Sequence, residues 1–326
     1  MAETNPPVFS IITPTDRRPE LLKRAINSVK SQTFSDYEHI IIDDANDPDT
    51  KIIVDKYTDE KIIFRQHTIQ KGAAGAYNTG IGLANGKFIM FLDDDDEYFP
   101  TLLEKVFQYF STIEPNIGFL WTGIMMIMDT DYGEKNIYTK IWPSGFNSVE
   151  DGLIEATTIG NGYGLCVRKE CIDKIGLYDE SFTMGHDADF LFRLASLYDF
   201  TVIPEALVKI HQHNSTQLTS KRNNLERLEI REKILKKHHK LLNKYPKLYN
   251  THYKFVADLS YSLGNKFEGR RIMHDIIKRS PFNFHNMIDF LLYEITGKNA
   301  SSIYRSQKLE KLRRFLKLKS KYLQEY

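Results

Sequence analysis

The chain has 326 residues, with 44 Lys+Arg against 43 Asp+Glu. That length suits one large domain or about two ordinary ones, and the near-neutral balance gives no general field for nucleic acid or acidic ligands. Two cysteines, Cys166 and Cys171, are too few and too close for a disulfide framework and lack the four-ligand set of a structural zinc site, so a reducing cytoplasm fits best. The N-terminal MAETNPPVFS has no basic region followed by an apolar core and does not read as a signal peptide. The longest apolar run, Ile117 to Met128, is broken by Gly118, Thr122 and Gly123 and is too short to span a bilayer. The expectation is a cytoplasmic chain, soluble or attached to the inner face of a membrane.

Val8 to Ile12 is an apolar run ending in Thr13-Pro14-Thr15. A helix is predicted over Pro19 to Gln32, with proline at its start and Leu21, Leu22, Ala25, Ile26 and Val29 on one face. His39 to Ile42 is a second strand, ending in Asp43-Asp44; Asp47-Pro48 opens a helix carrying Ile52, Ile53 and Tyr57. Ile62 to Phe64 is a third strand. The segment KGAAGAYNTGIGLANG reads as a loop running into a helix, closed by Asn85-Gly86 as a C-cap. Phe88 to Leu92 is a fourth strand, and Pro100 starts the next helix.

Alternating strands and helices with wholly apolar strands argue a mostly parallel sheet covered on both faces, an α/β fold. Right-handed crossovers then bring the C-terminal strand ends to one edge, where open α/β sheets bind ligands. Thr13 to Thr15, Asp43-Asp44 and the acids of FIMFLDDDDEYFP all belong on that rim. Farther on, Ile117 to Met128 and Gly162 to Val167 read as strands, Lys169 to Ile175 and His186 to Leu197 as helices, and IWPSGFNSVEDG as a loop. After about Gln217 the pattern becomes helical, with helices over Tyr249–Leu263 and Glu268–Lys278 and Pro281 as a stop. The expected division is residues 1–217 as a catalytic domain and 218–326 as a helical module.

Four adjacent aspartates after a buried strand repel one another. A hard divalent cation, Mn2+ or Mg2+, turns that repulsion into ligation and takes carboxylates together with substrate phosphates; a solvated acidic loop remains the alternative on spacing alone. No P-loop or GxSxG elbow is present, and Gly80-Ile81-Gly82 is followed by Asn85, which leaves the dinucleotide fingerprint incomplete. Asp187, in the first turn of its helix, reads by itself as a capping or helix-dipole residue.

Three stretches, VFSIITPTDRRPELLKRAINSVKSQTFSDYEHIIIDDAND, KGAAGAYNTGIGLANGKFIMFLDDDDEYFP and GLYDESFTMGHDADFLFRL, resemble in order and spacing the family 2, GT-A-fold inverting glycosyltransferases. The resemblance implies a Rossmann-like GT-A sheet and a nucleotide-sugar donor, with UDP the expected nucleotide. It implies that Thr13, Pro14 and Thr15 line the nucleobase pocket and that Asp44 accepts a hydrogen bond from the base. Asp93, Asp94 and Asp95 are similar to the family's DxD element, with Asp95 on the metal and Asp93 or Asp94 on the ribose or assisting the metal. Asp187 would be the general base, and His213 resembles a histidine that closes over the metal or diphosphate. Lys71 and Arg18 are candidates to meet the diphosphate, with exposed surface cations as the alternative reading. Asp16-Arg17-Arg18 stands where many members have Tyr-Asn-Arg, and His186 stands where many have Glu.

The expected acceptor is a glycan or lipid-linked glycan in cell-surface polysaccharide synthesis, with no nucleic-acid partner. Two other readings are a sugar-nucleotide pyrophosphorylase, whose Gly-rich loop and following Lys are missing here, and a non-catalytic nucleotide-sugar-binding scaffold, against which Asp44, Asp95 and Asp187 together argue. The tail SSIYRSQKLEKLRRFLKLKSKYLQEY carries eight Lys/Arg and two Glu, with Leu309, Leu312, Leu316 and Leu323 at helical spacing. It fits an anionic membrane surface or a subunit contact in a homo-oligomer.

Overall fold

The computed structural model of the chain describes residues 6–57, 59–130, 133–142, 149–159, 162–212 and 224–296. In chain order the elements are β1 (Phe9–Thr15), α1 (Pro19–Lys30), β2 (Tyr37–Asp43), α2 (Pro48–Val54), β3 (Ile62–Gln66), α3 (Gly72–Leu83), β4 (Phe88–Phe91), β5 (Glu97–Tyr98), α4 (Leu102–Phe110), β6 (Ile117–Thr130) and β7 (Gly133–Lys140). Then follow α5 (Val149–Ile159), β8 (Leu165–Arg168), α6 (Lys169–Ile175), α7 (His186–Leu197), β9 (Asp199–Gln212), α8 (Asn224–Lys237), α9 (His239–Lys244), α10 (Pro246–Ser262), α11 (Lys266–Arg279) and α12 (Phe284–Thr296). The chain divides into two compact units, residues 1–152 with 159–215, and residues 153–158 with 216–326.

The first unit is built on a 9-stranded sheet of order β3-β2-β1-β4-β8-β6-β9-β5, with β7 paired to β6. β1 runs parallel to β2 and β4, and β2 runs parallel to β3. β8 is antiparallel to both β4 and β6, so β6 points the same way as β4, and β9 is parallel to β6. β1, β2, β3, β4, β6 and β9 therefore share one direction, which makes the sheet mostly parallel, as the sequence predicts. Ile11, Ile12, Ile40, Ile41, Ile42 and Met90 are fully buried. Such unbroken apolar strands require cover on both faces. On the α1 face Phe9, Ile11, Ala25, Val29, Met90 and Leu103 pack together, with Leu22, Ile26, Ile41 and Val54 as a second cluster on that side, and α3 covers the other face by lying on Ile12 of β1.

The helix starts follow local chemistry. Pro19 and Pro48 occupy first-turn positions of α1 and α2, where a missing N–H costs nothing. Asp47 caps α2 by accepting from Thr50 N (3.0 Å) and Thr50 Oγ1 (2.8 Å). Ile53 and Val54 of α2 are buried, whereas Ile52 is exposed.

Asn85-Gly86 does something other than cap a helix. α3 ends on Ala84 in extended backbone. Asn85 N donates to the buried Glu38 Oε1 (2.6 Å), and Gly86 N donates to Ser10 Oγ (2.8 Å). A Cβ at Gly86 would lie 2.5 Å from the Ser10 backbone nitrogen, so glycine is required by the close approach of the turn to β1.

β9 is a long strand despite Pro204. Its register against β6 shifts at that point, Ile203 lying opposite Thr122 and Ala206 opposite Gly123. Pro204 and Glu205 are exposed there, in a bulge that asks no ladder hydrogen bond of the proline. β5 and β7 are likewise found only in the structure, as is α5, part of which read as loop.

The second unit is helical. A turn through Gly264 (φ 82°) joins α10 to α11, and Asn265 caps α11 by accepting from Glu268 N (3.2 Å). Tyr261 of α10 stacks on Tyr293 of α12 with ring centroids 4.2 Å apart. Among the described residues no helix is long and apolar enough to cross a membrane.

α3 lies directly on β1: a Cβ at Gly80 would sit 2.3 Å from Ile12 Cγ2, and Ile12 is fully buried. Gly80→Ala is expected to lower stability by about 1–3 kcal/mol, the usual overpacking range, even though alanine favours the helix. Urea unfolding measures this, and an unchanged midpoint would mean that α3 can retreat from β1.

Candidate active site

The strand ends meet at one rim, as the parallel order demands. Asp44 N donates to Thr15 O across the β1–β2 boundary (2.9 Å). Thr15 Oγ1 donates to Asp94 Oδ2 at 2.6 Å and so ties β1 to the acidic run after β4. Pro14 is half-buried between two buried threonines. Thr13 turns inward, its Oγ1 lying 2.9 Å from His39 Nε2. Burial drives the His39 imidazole down to about 3, so this pair is a neutral core contact at neutral pH.

Asp44 is 4% exposed and organises the loop before α3. Its Oδ1 lies 2.7 Å from His67 Nδ1 and accepts from Lys71 N (2.8 Å), while Oδ2 accepts from Gly72 N (2.8 Å). His67 is steadied in turn by Thr79 of α3, its Nε2 lying 2.8 Å from Thr79 Oγ1. Gly72 has φ 76°, a conformation glycine adopts without strain. The Lys71 side chain is exposed at this corner.

The four aspartates do not act alike. Asp94 points inward, fully buried, and is held by Thr15 and by the Arg18 guanidinium, whose Nε donates to Oδ2 (3.1 Å) and whose Nη2 pairs with Oδ1. Arg18 Nη1 also donates to Asp95 Oδ2 at 2.7 Å. Burial pushes the Asp94 carboxyl up to about 7, and the Arg18 charge opposes that rise. The bidentate grip favours the ionised form, and we assign an Asp94–Arg18 ion pair.

Asp93, Asp95 and Asp96 form a cluster, half-buried except for the buried Asp96, with one carboxylate oxygen of each lying within 4.8 Å of the others. Burial raises the Asp93 carboxyl to about 6, and the Asp95 charge adds to it. Burial also raises Asp96 well above the usual range, with Asp93 and Asp95 contributing. Tyr77 OH donates to Asp93 Oδ1 (2.6 Å), and His211 N donates to Asp96 Oδ1 (3.0 Å). Three converging, crowded oxygen donors whose charge is penalised by burial fit a hard divalent cation, and nothing in the set suits a soft metal. Asp96 enters this cluster where the sequence placed Asp94. Its only advance signal was membership of the acidic run.

A second group, Glu97, Glu134 and His211, is already neutralised. Lys209 Nζ lies 3.1 Å from Glu134 and 3.8 Å from Glu97. The His211 ring nitrogens lie 2.8 Å from Asp129 Oδ1 and 2.7 Å from Glu97 Oε1. Burial pulls the His211 imidazole down, but those two carboxylates outweigh it and hold it above its ordinary range. Arg24 joins the network, donating to Asp129 Oδ2 (3.0 Å) and to the Asp95 carbonyl (2.6 Å). Sequence reasoning chose His213 and passed over His211; His213 lies outside the described residues.

Asp187 stands in the first turn of α7. The N-cap is Gly185 (φ 73°), with no side-chain cap bond. The Asp187 carboxylate is about a third exposed, with Oδ1 3.2 Å from His186 Nε2. Its charge reaches the cluster, since it contributes to the raised carboxyl of Asp93 and to the raised phenols of Tyr77 and Tyr178, in each of which burial is the largest cause. Asp187 thus lies near enough to Asp93 for the two charges to act on each other.

Protonation of Asp93 competes with any cation. Mn2+ affinity, measured by calorimetry on the protein alone, is expected to fall as pH drops through about 6, where Asp93 takes up its proton. A flat profile from pH 7.5 to 5 would remove Asp93 from the ligand set.

The model of glycosyl transferase family 2 matches residues 10–167. A GalNAc(5)-diNAcBac-PP-undecaprenol β-1,3-glucosyltransferase of Campylobacter jejuni is 30% identical over 205 residues, 58% of this chain and 65% of that protein. A UDP-Glc:α-D-GlcNAc-diphosphoundecaprenol β-1,3-glucosyltransferase of Escherichia coli is 35% identical over 120 residues, 37% of this chain and 47% of that protein. In fold, the chain is similar to S. aureus TarS 1-349, solved in complex with UDP-GlcNAc, with a TM-score of 0.66 at 17% identity, covering 89% of this chain and 87% of that one. With its GT-A sheet and acidic rim, the chain carries a glycosyl transferase family 2 region over residues 10–167 and is a glycosyltransferase.

Proposed function

We propose that this glycosyltransferase moves a sugar from a UDP-sugar to a hydroxyl of a lipid-linked glycan, with inversion at the anomeric carbon, in cell-surface polysaccharide synthesis. The observation that carries the reading is the convergence of Asp93, Asp95 and Asp96 beside Asp187 at the sheet rim. These three carboxylates would hold Mn2+ or Mg2+, with His213 an added ligand. A cation bound there would neutralise charge growing on the departing diphosphate. Asp187 takes the proton from the acceptor hydroxyl on the face opposite the leaving group, as a single in-line displacement requires.

The remaining rim residues bind the donor. Pro14 and the exposed Lys71 flank the nucleotide, Lys71 at the diphosphate. Asp44 already accepts from three donors, and a carboxylate has about four acceptor positions, so one remains on Oδ2 for a ring N–H of the base. Thr13 and Thr15 act from beneath, Thr15 by holding Asp94. The Asp94–Arg18 pair fixes the loop that carries Asp93 and Asp95. UDP as carrier and a lipid-linked acceptor are supported by the activity of the Escherichia coli relative, a UDP-Glc:α-D-GlcNAc-diphosphoundecaprenol β-1,3-glucosyltransferase. The family match also favours glycosyl transfer over the pyrophosphorylase and scaffold readings.

Asp187→Asn keeps the shape and loses the basic oxygen. Turnover of UDP-glucose with a short-chain α-GlcNAc-diphospholipid acceptor is expected to fall by about 10²-fold or more, with calorimetric affinity for UDP and Mn2+ little changed. Asp95→Ala should instead abolish the Mn2+ dependence of UDP binding. Wild-type turnover in Asp187→Asn would move the base elsewhere.

The tail, residues 301–326, lies outside the described residues. Its eight cations against two anions suit an anionic surface, at about 1 kcal/mol per Lys or Arg near it. Deleting it should weaken sedimentation with phosphatidylglycerol liposomes in low salt. If the full chain ignores liposomes and the deletion splits an oligomer, the tail is an assembly element.

A further inference from the structure

Two neighbouring residues of α3 reach in different directions. Tyr77 hydrogen-bonds Asp93 of the cation cluster (2.6 Å). Asn78 grips the segment before α7 at both ends of one residue: its Nδ2 donates to Tyr178 O (3.0 Å) and its Oδ1 accepts from Tyr178 N (2.8 Å). Nδ2 also donates to Glu180 Oε1 at 2.8 Å. This two-point bond satisfies a backbone amide as a strand neighbour would and fixes both position and orientation.

The Tyr178 ring carries that fixation into α7. It stacks on Phe190 at 4.2 Å with an 11° interplanar angle, and meets His186 edge-on at 5.6 Å. On its other face it stacks on Tyr77 at 5.4 Å. Arg193 of α7 bonds the carbonyls of Ile175 (2.9 Å), Gly176 (3.0 Å) and Leu177 (2.9 Å), with its Nε on the buried Asp189. Residues 175–178 and α7 thus hold together as one block. Arg193 secures that block internally, and Asn78 fastens it to α3.

We propose that Asn78 is a positioning residue for the transfer step: through Tyr178 it sets the place of Asp187 relative to Asp93, while touching neither donor nor cation. The proposal rests on the reading of Asp187 as general base. Tyr77 ties α3 to the donor side and Asn78 ties it to the acceptor side, so one helix fixes the gap across which the sugar passes. A misplacement on the order of 1 Å in such a gap lowers rate by about 10²-fold while leaving ground-state binding in place.

Asn78→Ala and Asn78→Ser are compared with Asp187→Asn and with wild type in the full chain. Hydrogen exchange reads the clamp without any substrate: the Tyr178 amide and residues 178–190 should exchange faster in both Asn78 variants and not in Asp187→Asn. Turnover of UDP-glucose with the α-GlcNAc-diphospholipid acceptor should show kcat lowered by about 10-fold or more, with KM for UDP-glucose and calorimetric affinity for Mn2+ and UDP within about twofold. Tyr77→Phe should do the opposite, weakening Mn2+ binding with exchange over 178–190 unchanged. Unchanged exchange in the Asn78 variants, or faster exchange with kcat intact while Asp187→Asn is inactive, overturns the positioning role. An active Asp187→Asn overturns the base assignment separately.

Discussion

Four successive carboxylates at the end of a buried strand are unstable unless cations answer them, and the rim of the sheet is arranged around that constraint. Arg18 answers Asp94 and one oxygen of Asp95. Arg24 reaches the Asp95 carbonyl and Asp129. A backbone N–H answers Asp96. What these leave is a cluster whose carboxyls are pushed upward by burial and by one another, an excess of negative charge of the kind that a hard divalent ion would answer. The Asp93 and Asp96 carboxyls stay raised despite the nearby Arg18 and Arg24 charges, so affinity for an ion would be tied to their ionisation.

The order of strands converts that local constraint into a site. Because β1, β2, β4, β6 and β9 point one way, the ends of widely separated segments arrive at a common edge. Asp129 near the end of β6 and His211 near the end of β9 thereby form a charged wall with Glu97. None of these pairs is worth much on the surface, yet half-buried and interlocked they hold their shape.

Much of the first half was legible because it obeys simple rules. Unbroken Ile and Phe runs announce strands buried on both faces, prolines announce helix starts, and acids after strands announce the rim. Legibility fails where tertiary structure overrides local pattern. β9 contains a proline that a bulge absorbs, and β7 is exposed along its length with no apolar alternation. Asn85-Gly86 looks like a cap but serves a buried glutamate and a backbone approach. Within the acidic run, sequence cannot say which carboxylate turns inward; Asp94 does so because Thr15 and Arg18 wait there, which leaves Asp96 to take its place in the cluster. Asn78 had no signal at all, since a side-chain bond to a backbone 100 residues away leaves no trace in spacing.

α3 shows why the glycine-rich stretch is helix rather than loop. Glycine in a helix interior costs about 1 kcal/mol relative to alanine, and this helix holds Gly75, Gly80 and Gly82. Contact distance accounts for two of the three, since a Cβ at Gly82 would meet open space. Gly80 lets the helix axis approach Ile12 of β1, and Gly75 sits where a Cβ would strike the Lys71 side chain at 2.4 Å. A helix held that close delivers three things to the rim at once. Its first N–H groups reach Asp44, Tyr77 reaches Asp93, and Asn78 reaches the block that carries Asp187. A bulkier helix would stand off the sheet and lose all three contacts together, so the intrinsic instability of the segment is offset by packing at the point where Asp44, Asp93 and the segment before α7 are tied to one helix.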